Sequence, residues 1–333
     1  MDDVITLDYG SGGKKTAALI ENLILPQLGN DALNALTDGA VLPGAEELVF
    51  STDSFVVNPC FFPGGDIGKL SVCGTVNDVC VSGGEPRYLS LAFIIEEGFP
   101  AKSLDRIVRS IRETAETVGV RVVTGDTKVV ERGKGDGIYI NTSGIGVLRH
   151  RGLSPRQIRP GDRVLLSGTA GDHGAAVMLA RNPRLVEGTL RSDCAPLHRL
   201  CRALAPLGGD LRVMRDPTRG GVATTLCEFV EGTEMTVELR EERIPVDPGV
   251  ESACDILGLD PLYCACEGRL LCVVAPERAE EALALLRSLP EGENAAEIGT
   301  VSTAYPGKVI VRTGIGGTRI VTKLSGAQLP RIC

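Results

Sequence analysis

The sequence predicts a mixed α/β chain of two domains followed by a short tail, and three observations carry that prediction. Its 333 residues accommodate about two domains of roughly 150 residues each. Apolar runs of strand length alternate with stretches of helical periodicity in both halves. Between the halves, residues 150–162 are polar and punctuated by Pro155 and Pro160-Gly161-Asp162, the composition of a linker. The expected division is residues 1–150, residues 151–323 and a tail of residues 324–333.

Within the first half, Ala17, Leu19, Ile20, Leu23 and Ile24 recur at helical spacing and predict a helix over residues 16–28. Residues 38–47 are polar and contain Gly and Pro, so they read as loop. Residues 48–57 read as a strand with a polar interruption, Thr52-Asp53-Ser54. A helix is expected over 66–81 despite Gly68 and Gly74, each of which costs a helix about 1 kcal/mol relative to alanine. A strand at 87–95 precedes an amphipathic helix at 103–118, with Ser103 as its N-cap. Two more strands, 120–131 and 137–148, flank a glycine-rich turn. The second half predicts a strand at 164–167 and helices at 174–180 and 195–205. It continues with a helix at 218–231, a strand at 235–239, a helix at 249–257, a strand at 270–275 and a helix at 276–288. Strands at 296–301, 308–312 and 319–322 close the chain.

Composition removes several function classes. Lys and Arg number 35 against 43 Asp and Glu, and a net charge of −8 without a basic block argues against nucleic-acid binding. Apolar runs fall far short of the ~18–20 residues of a membrane span. The acidic Met-Asp-Asp start is unlike a signal peptide. The 11 cysteines are scattered and odd in number, as expected of reduced thiols in a cytoplasmic protein. With 5 Tyr, 7 Phe and no Trp, the core is expected to consist of Val, Leu, Ile and Ala. The 41 glycines imply tight turns or loops pressed against a ligand.

Four groups of residues suit chemistry. Gly10-Ser11-Gly12-Gly13-Lys14 precedes the first helix, where backbone N–H groups, the helix dipole and Lys14 favour an anion. It lacks P-loop spacing. Asp53, Asp78, Asp126 and Asp216 sit among small or polar neighbours. Two of them interrupt apolar strands, a costly placement that a shared Mg²⁺ would explain. Cys264-Ala265-Cys266, with Cys254 and Cys272, admits either a zinc or iron–sulfur site or plain buried thiols. His150, His173 and His198 show no ligand spacing. The chain ends Pro330-Arg331-Ile332-Cys333, and ten extended residues reach ~33 Å, so this thiol could cross a domain.

Together these segments resemble the HypE family of hydrogenase-maturation carbamoyl dehydratases. The residues carrying the resemblance are Gly10–Lys14, Ser51-Thr52-Asp53-Ser54-Phe55, Phe61–Leu70, Gly125–Val130, Gly171-Asp172-His173-Gly174, Arg215–Gly221 and the Pro-Arg-Ile-Cys end. The glycine–aspartate segments are shared with a wider superfamily that includes aminoimidazole ribonucleotide synthetase; the Pro-Arg-Ile-Cys end is the specific part. The resemblance implies two α/β domains of the aminoimidazole ribonucleotide synthetase type. It also implies a homodimer in which two N-terminal sheets pair into a β-barrel. ATP and Mg²⁺ are the implied cofactors, with Asp53, Asp78, Asp126 and Asp216 as metal ligands. Gly10, Ser11, Gly12, Gly13, Lys14, Asp66, Lys69, Asn77, Thr127 and Asn141 would contact the nucleotide. Cys333 would carry a carbamoyl group beside Lys128 and Glu267, either of which could be the base. The implied partners are a carbamoyltransferase, HypF, and an iron-carrying HypC–HypD scaffold that receives cyanide.

Two other readings stay open at the level of sequence. One is a superfamily enzyme that phosphorylates a diffusible small molecule; the other is a non-catalytic thiol or metal carrier. In the dehydratase reading the tail must be exposed to its partners yet shielded from water during dehydration, so it is expected to move.

Overall fold

In the computed structural model of the chain, the described residues are 2–11, 13–37, 39–182, 190–324, 326, 329 and 331–333. The first helical segment runs Lys14–Leu19 (α1), through a π-helical turn at Ile20–Ile24, to Leu25–Leu28 (α2). Next come β1 (Leu48–Phe55), the small hairpin β2 (Phe61–Phe62) and β3 (Gly65–Asp66), and helix α3 (Ile67–Val81). The first half ends with β4 (Gly84–Glu96), α4 (Ala101–Val118), β5 (Arg121–Val130) and β6 (Ile138–Leu148). Its larger sheet has the order β1-β6-β4-β5, with β4 and β5 parallel and the other neighbours antiparallel. Helix α4 begins at Ala101 after Pro100, earlier than expected, and no side chain caps it. Ser103 is therefore inside the helix rather than its N-cap.

The second half contains β7 (Arg163–Leu166), α5 (Asp172–Arg181), α6 (His198–Leu204), β8 (Leu211–Arg215), α7 (Gly221–Val230) and β9 (Thr236–Arg240). It continues with α8 (Pro248–Leu257), β10 (Leu271–Val274), α9 (Ala279–Arg287), β11 (Ala296–Ser302), β12 (Lys308–Arg312) and β13 (Thr318–Val321). These strands form one sheet in the order β13-β12-β9-β11-β7-β10-β8. Strand β8 is not foreseen by the sequence pattern, because Arg212 interrupts its apolar run. In the fold Arg212 is buried and pairs with the equally buried Asp162 at 3.2 Å, so its charge is matched inside.

The four-stranded sheet packs one face on α3 and α4 and leaves Leu48, Phe50 and Ile94 exposed elsewhere. Helix α3 is buried on nearly all sides, with only Lys69 and Asp78 partly open. That explains its two glycines. A Cβ at Gly68 would stand 2.5 Å from the Ile107 carbonyl of α4, and one at Gly74 would stand 2.8 Å from the Phe55 ring. The close packing offsets their low helix propensity.

A single apolar cluster runs from Val72, Cys73 and Val76 of α3 to Leu165, Cys272 and Val274 of the second sheet, so the two halves share a core. Asn77 of α3 adds a polar tie. Its amide nitrogen donates to the Ala195 and Glu267 carbonyls at 3.1 and 3.3 Å, and its Oδ1 accepts from Leu197 N at 2.8 Å. Asn77→Ala strands these buried backbone groups and should lower stability by about 2–3 kcal/mol. Urea titration should show the midpoint falling with an unchanged m-value.

Candidate functional site

Three carboxylates converge where the two sheets meet. Alternation along β1 turns Ser51, Asp53 and Phe55 toward α3, with Thr52 and Ser54 on the opposite face. The Ser51 hydroxyl donates to Asp78 Oδ2 at 2.7 Å, and Ser54 N donates to Asp53 Oδ1 at 2.9 Å. Asp216 follows β8 and is buried. Burial, then the charges of Asp78 and Asp53, push its carboxyl up to about 7. Asp53 is likewise raised, by burial first and by Asp78, with Arg219 acting in the opposite sense.

Glu267 lies beside this group, in the loop before β10. It is 2% exposed, and its Oε1 has no hydrogen-bond partner. Burial pushes its carboxyl well above the usual range, reinforced by the charges of Asp216, Asp193 and Asp53. Asp193 braces the loop, accepting from Glu267 N at 3.1 Å and from Gly268 N at 3.4 Å. Arg269 in turn pairs with Asp172 at 2.7 Å and with Asp193 at 3.5 Å. This brace has no motif and joins residues far apart in the chain, so sequence reasoning missed it.

The Cys333 thiol reaches Glu267. The two side chains are close enough to interact: burial first, then the Glu267 charge, hold the thiol well above its ordinary pKa. Arg219 lies close enough to act on both Cys333 and Asp53. Ile332 is buried, and the Arg331 guanidinium forms an ion pair with Asp136 and donates to the Val56 carbonyl at 3.1 Å. The docked end of the chain therefore brings together Cys333, Glu267, Asp53, Asp78 and Asp216.

Lys128 and Asp126 stand apart from that group. They pair with each other at 2.9 Å on β5, with both side chains more than half exposed. Strands β1 and β5 are the opposite edges of their sheet, three interstrand spacings or roughly 14 Å apart. The register sets Asp126 and Lys128 beside Ala92 and Ile94, on the face away from α3. Neither residue shares the Glu267 pocket within one chain.

The nucleotide candidates are divided in the same way. Gly10 presses on Val129 of β5, where a Cβ would come within 2.4 Å of its backbone nitrogen. Gly13 is the residue before α1, and Ser11 and Gly13 are exposed; Gly12 lies outside the described residues. A cavity of about 190 Å³ beside this loop is lined by Gly10, Asp126, Thr127 and Lys128 together with apolar side chains of the first helical segment. Asp66 caps α3, its Oδ1 accepting from Gly68 N at 2.8 Å and Lys69 N at 3.0 Å, while Lys69 Nζ donates to the Gly64 carbonyl at 3.1 Å. Asn141 donates to the Asp53 carbonyl at 2.9 Å and so steadies β1 at the cluster. Asn77 is committed to the inter-sheet tie described above.

Among the described residues, no three His, Cys, Asp or Glu side chains are arranged to hold a metal unaided. Cys254 and Cys264 approach to 3.8 Å, and Cys266 Sγ accepts from Gly171 N at 3.1 Å. The Asp53–Asp78–Asp216 group nevertheless suits Mg²⁺, which favours hard oxygen donors and takes only one or two carboxylates when phosphate supplies the rest. Burial first, and then the charge of Asp78, raise both Asp53 and Asp216, and a cation held between them would offset that cost.

Residues 36–148 match the family profile of the AIR synthase related protein N-terminal domain, and residues 159–312 that of its C-terminal domain. The carbamoyl dehydratase HypE of Bradyrhizobium diazoefficiens is 48% identical over 332 residues, covering 99% of this chain and 96% of that protein. A crystal structure of the hydrogenase maturation protein HypE in complex with ATP matches with a TM-score of 0.94 and 46% identity, covering 98% of this chain and 99% of that one. A chain of a HypE–HypF complex matches with a TM-score of 0.80 and 47% identity, over 92% of this chain and 100% of that one. Identity at this level over essentially the whole length, carried on the same two-domain fold, makes this chain a member of the HypE carbamoyl dehydratase family.

Proposed function

We propose that this protein carries a carbamoyl group on the Cys333 thiol and dehydrates it to a thiocyanate with ATP, as the source of cyanide for a hydrogenase iron centre. The observation that carries the reading is the docked Cys333 thiol lying within reach of a buried carboxyl, Glu267, whose Oε1 has no hydrogen-bond partner. ATP and the loading partner HypF are supported by the ATP complex and the HypE–HypF complex of the relatives. Transfer of cyanide to a HypC–HypD iron scaffold completes the proposed sequence.

The chemistry balances on these residues. A thiocarbamate, S–C(=O)–NH₂, loses water poorly because oxide is a poor leaving group. Attack of its carbonyl oxygen on the γ-phosphorus of ATP expels ADP and turns that oxygen into part of a phosphate ester. Loss of one N–H proton to a base, expulsion of phosphate and loss of the second proton leave S–C≡N. Glu267 is the proton acceptor of this scheme, since a carboxylate with a raised pKa is a stronger base than an ordinary one. Asp53, Asp78 and Asp216 would hold Mg²⁺, which supplies charge neutralisation at phosphate oxygens when bound. Burial of Ile332, with Cys333 half-buried beside it, limits the access of water to the modified tail.

Lys128 enters the scheme only through a second copy of the chain. Both outer strands of the four-stranded sheet, β1 and β5, have one strand partner each among the described residues. Exposed Leu48, Phe50 and Ile94 give that sheet apolar surface to cover. A homodimer joined through these sheets would set Asp126 and Lys128 of one protomer toward the carboxylates of the other, and with them the Gly10–Lys14 loop that is assigned here to the phosphates.

The direct test is the intact mass of the C-terminal peptide after carbamoyl loading: ATP should convert the adduct to one lighter by one water. Cys333→Ala should abolish cyanide formation while folding and ATP binding persist, because a terminal side chain contributes little packing. Undiminished ATP turnover by this variant would instead favour phosphorylation of a diffusible molecule. Asp78→Asn and Asp216→Asn should each weaken Mg·ATP binding by about tenfold or more, read by calorimetry. Glu267→Gln and Lys128→Ala should each accumulate the carbamoylated form. Mixing these two variants should regain about a quarter of native turnover if Lys128 acts across the dimer, because half the dimers are mixed and each then has one intact site. No recovery would remove Lys128 from the partner's site.

A further inference from the structure

The docked end of the chain is held by its backbone. Arg331 O accepts from Asn58 N at 3.1 Å and from the Arg181 guanidinium, and Cys333 O accepts from Val56 N at 3.3 Å. Between them, Ile332 O lies 2.7 Å from Nε2 of His173 in α5. A carbonyl oxygen only accepts, so Nε2 carries a proton. In the neutral ring Nδ1 is then the acceptor, and it lies 2.7 Å from Ser192 Oγ. That hydroxyl accepts from Cys194 N at 3.0 Å and donates its own proton to Nδ1. One neutral tautomer satisfies every group.

The surroundings hold that ring in place. His173 is fully buried, burial lowers its pKa to about 4, and the Phe62 ring meets it edge-on at 5.3 Å. The next residue, Gly174, has no side chain, and a Cβ there would stand 3.1 Å from Leu329 of the tail. The Asp136 contact to Arg331 differs, because both side chains are partly exposed and water can replace the bond. Water has no such access to the His173 bond while the tail is docked. The contact also reads a main-chain carbonyl one residue from the reactive thiol, so it is indifferent to what the sulfur carries.

We propose that His173 is a positioning residue for the dehydration step: its Nε2–H, through the Ile332 carbonyl, holds the Cys333 sulfur at Glu267, and breaking this bond frees the tail for its partners. The proposal deepens the dehydratase reading and rests on it for the reaction, but not for the latch itself.

Timed alkylation with iodoacetamide, read peptide by peptide by mass spectrometry, tests the latch without ATP, carbamoyl group or partner. Cys227, half-buried on α7, serves as the reference and buried Cys272 as the folding control. In the native protein Cys333 should react slowly, being half-buried and held protonated. His173→Ala should raise its rate about tenfold, the population shift expected from losing one buried hydrogen bond, with Cys227 unchanged. His173→Gln, whose amide can still donate to Ile332 O, should stay near the native rate. Single-turnover dehydration of pre-carbamoylated protein should fall in the alanine variant and recover in the glutamine variant, with loading undiminished in both. A slow Cys333 in His173→Ala, or a glutamine variant as fast as the alanine one, overturns the proposal. Should His173→Ala unfold, shown by rapid labelling of Cys272, then His173→Phe takes its place: it fills the site without a donor and must give fast Cys333 with silent Cys272, and a slow Cys333 there overturns the latch. A latch that holds in protein unable to form thiocyanate would refute the dehydratase reading alone.

Discussion

A buried carboxyl with an unmatched oxygen, Glu267, is the constraint around which this molecule is arranged. An unpaired carboxylate in a dry interior is costly, so its loop needs support that does not neutralise it. Asp193 supplies that support through the Glu267 and Gly268 backbone nitrogens, and Arg269 holds Asp193 in turn. Asn77 donates to the Glu267 carbonyl as well. The loop is thus fixed by its main chain while the side chain stays available for a proton and for the terminal thiol.

The same arrangement concentrates negative charge. Asp53, Asp78 and Asp216 come from β1, α3 and the end of β8, and the charge of Asp78 raises the cost of ionising both of the others. Such a set is poorly suited to structural stabilisation and well suited to receiving a cation together with phosphate oxygens. Arg219 moderates the field within reach of both Asp53 and Cys333. Close packing makes this geometry durable: Gly68 and Gly74 let α3 lie against α4 and Phe55, which fixes Asp78 relative to β1.

The tail occupies its groove by hydrogen bonds to the carbonyls of Arg331, Ile332 and Cys333, so docking is a property of the backbone. Ile332 adds apolar burial, and Arg331 adds a partly exposed ion pair. Several modest contacts hold better together than singly, yet each is weak enough to be broken in turn. The proposed reaction, in which the tail meets its own site and then other proteins, calls for that balance.

The elements with strong local signals were legible in the sequence. The apolar runs of β10 and β12, the helical periodicity of α4 and the loop before β1 follow from side-chain pattern, and the Gly- and Asp-rich segments with the Pro-Arg-Ile-Cys end carried the family. Strand β8 was hidden because Arg212 looks solvent-facing until Asp162 is brought to it across the fold. The tertiary structure alone decided that Asp126 and Lys128 lie apart from Asp53, Asp78, Asp216 and Glu267, since sheet order and strand facing are not local properties. It also decided the surroundings of His173, whose two partners, Ser192 and Ile332, are distant in the chain and leave no spacing to read. Local pattern records what a residue prefers, whereas a buried polar group's function depends on which distant partner completes its hydrogen bonds, and only the folded chain sets that pairing.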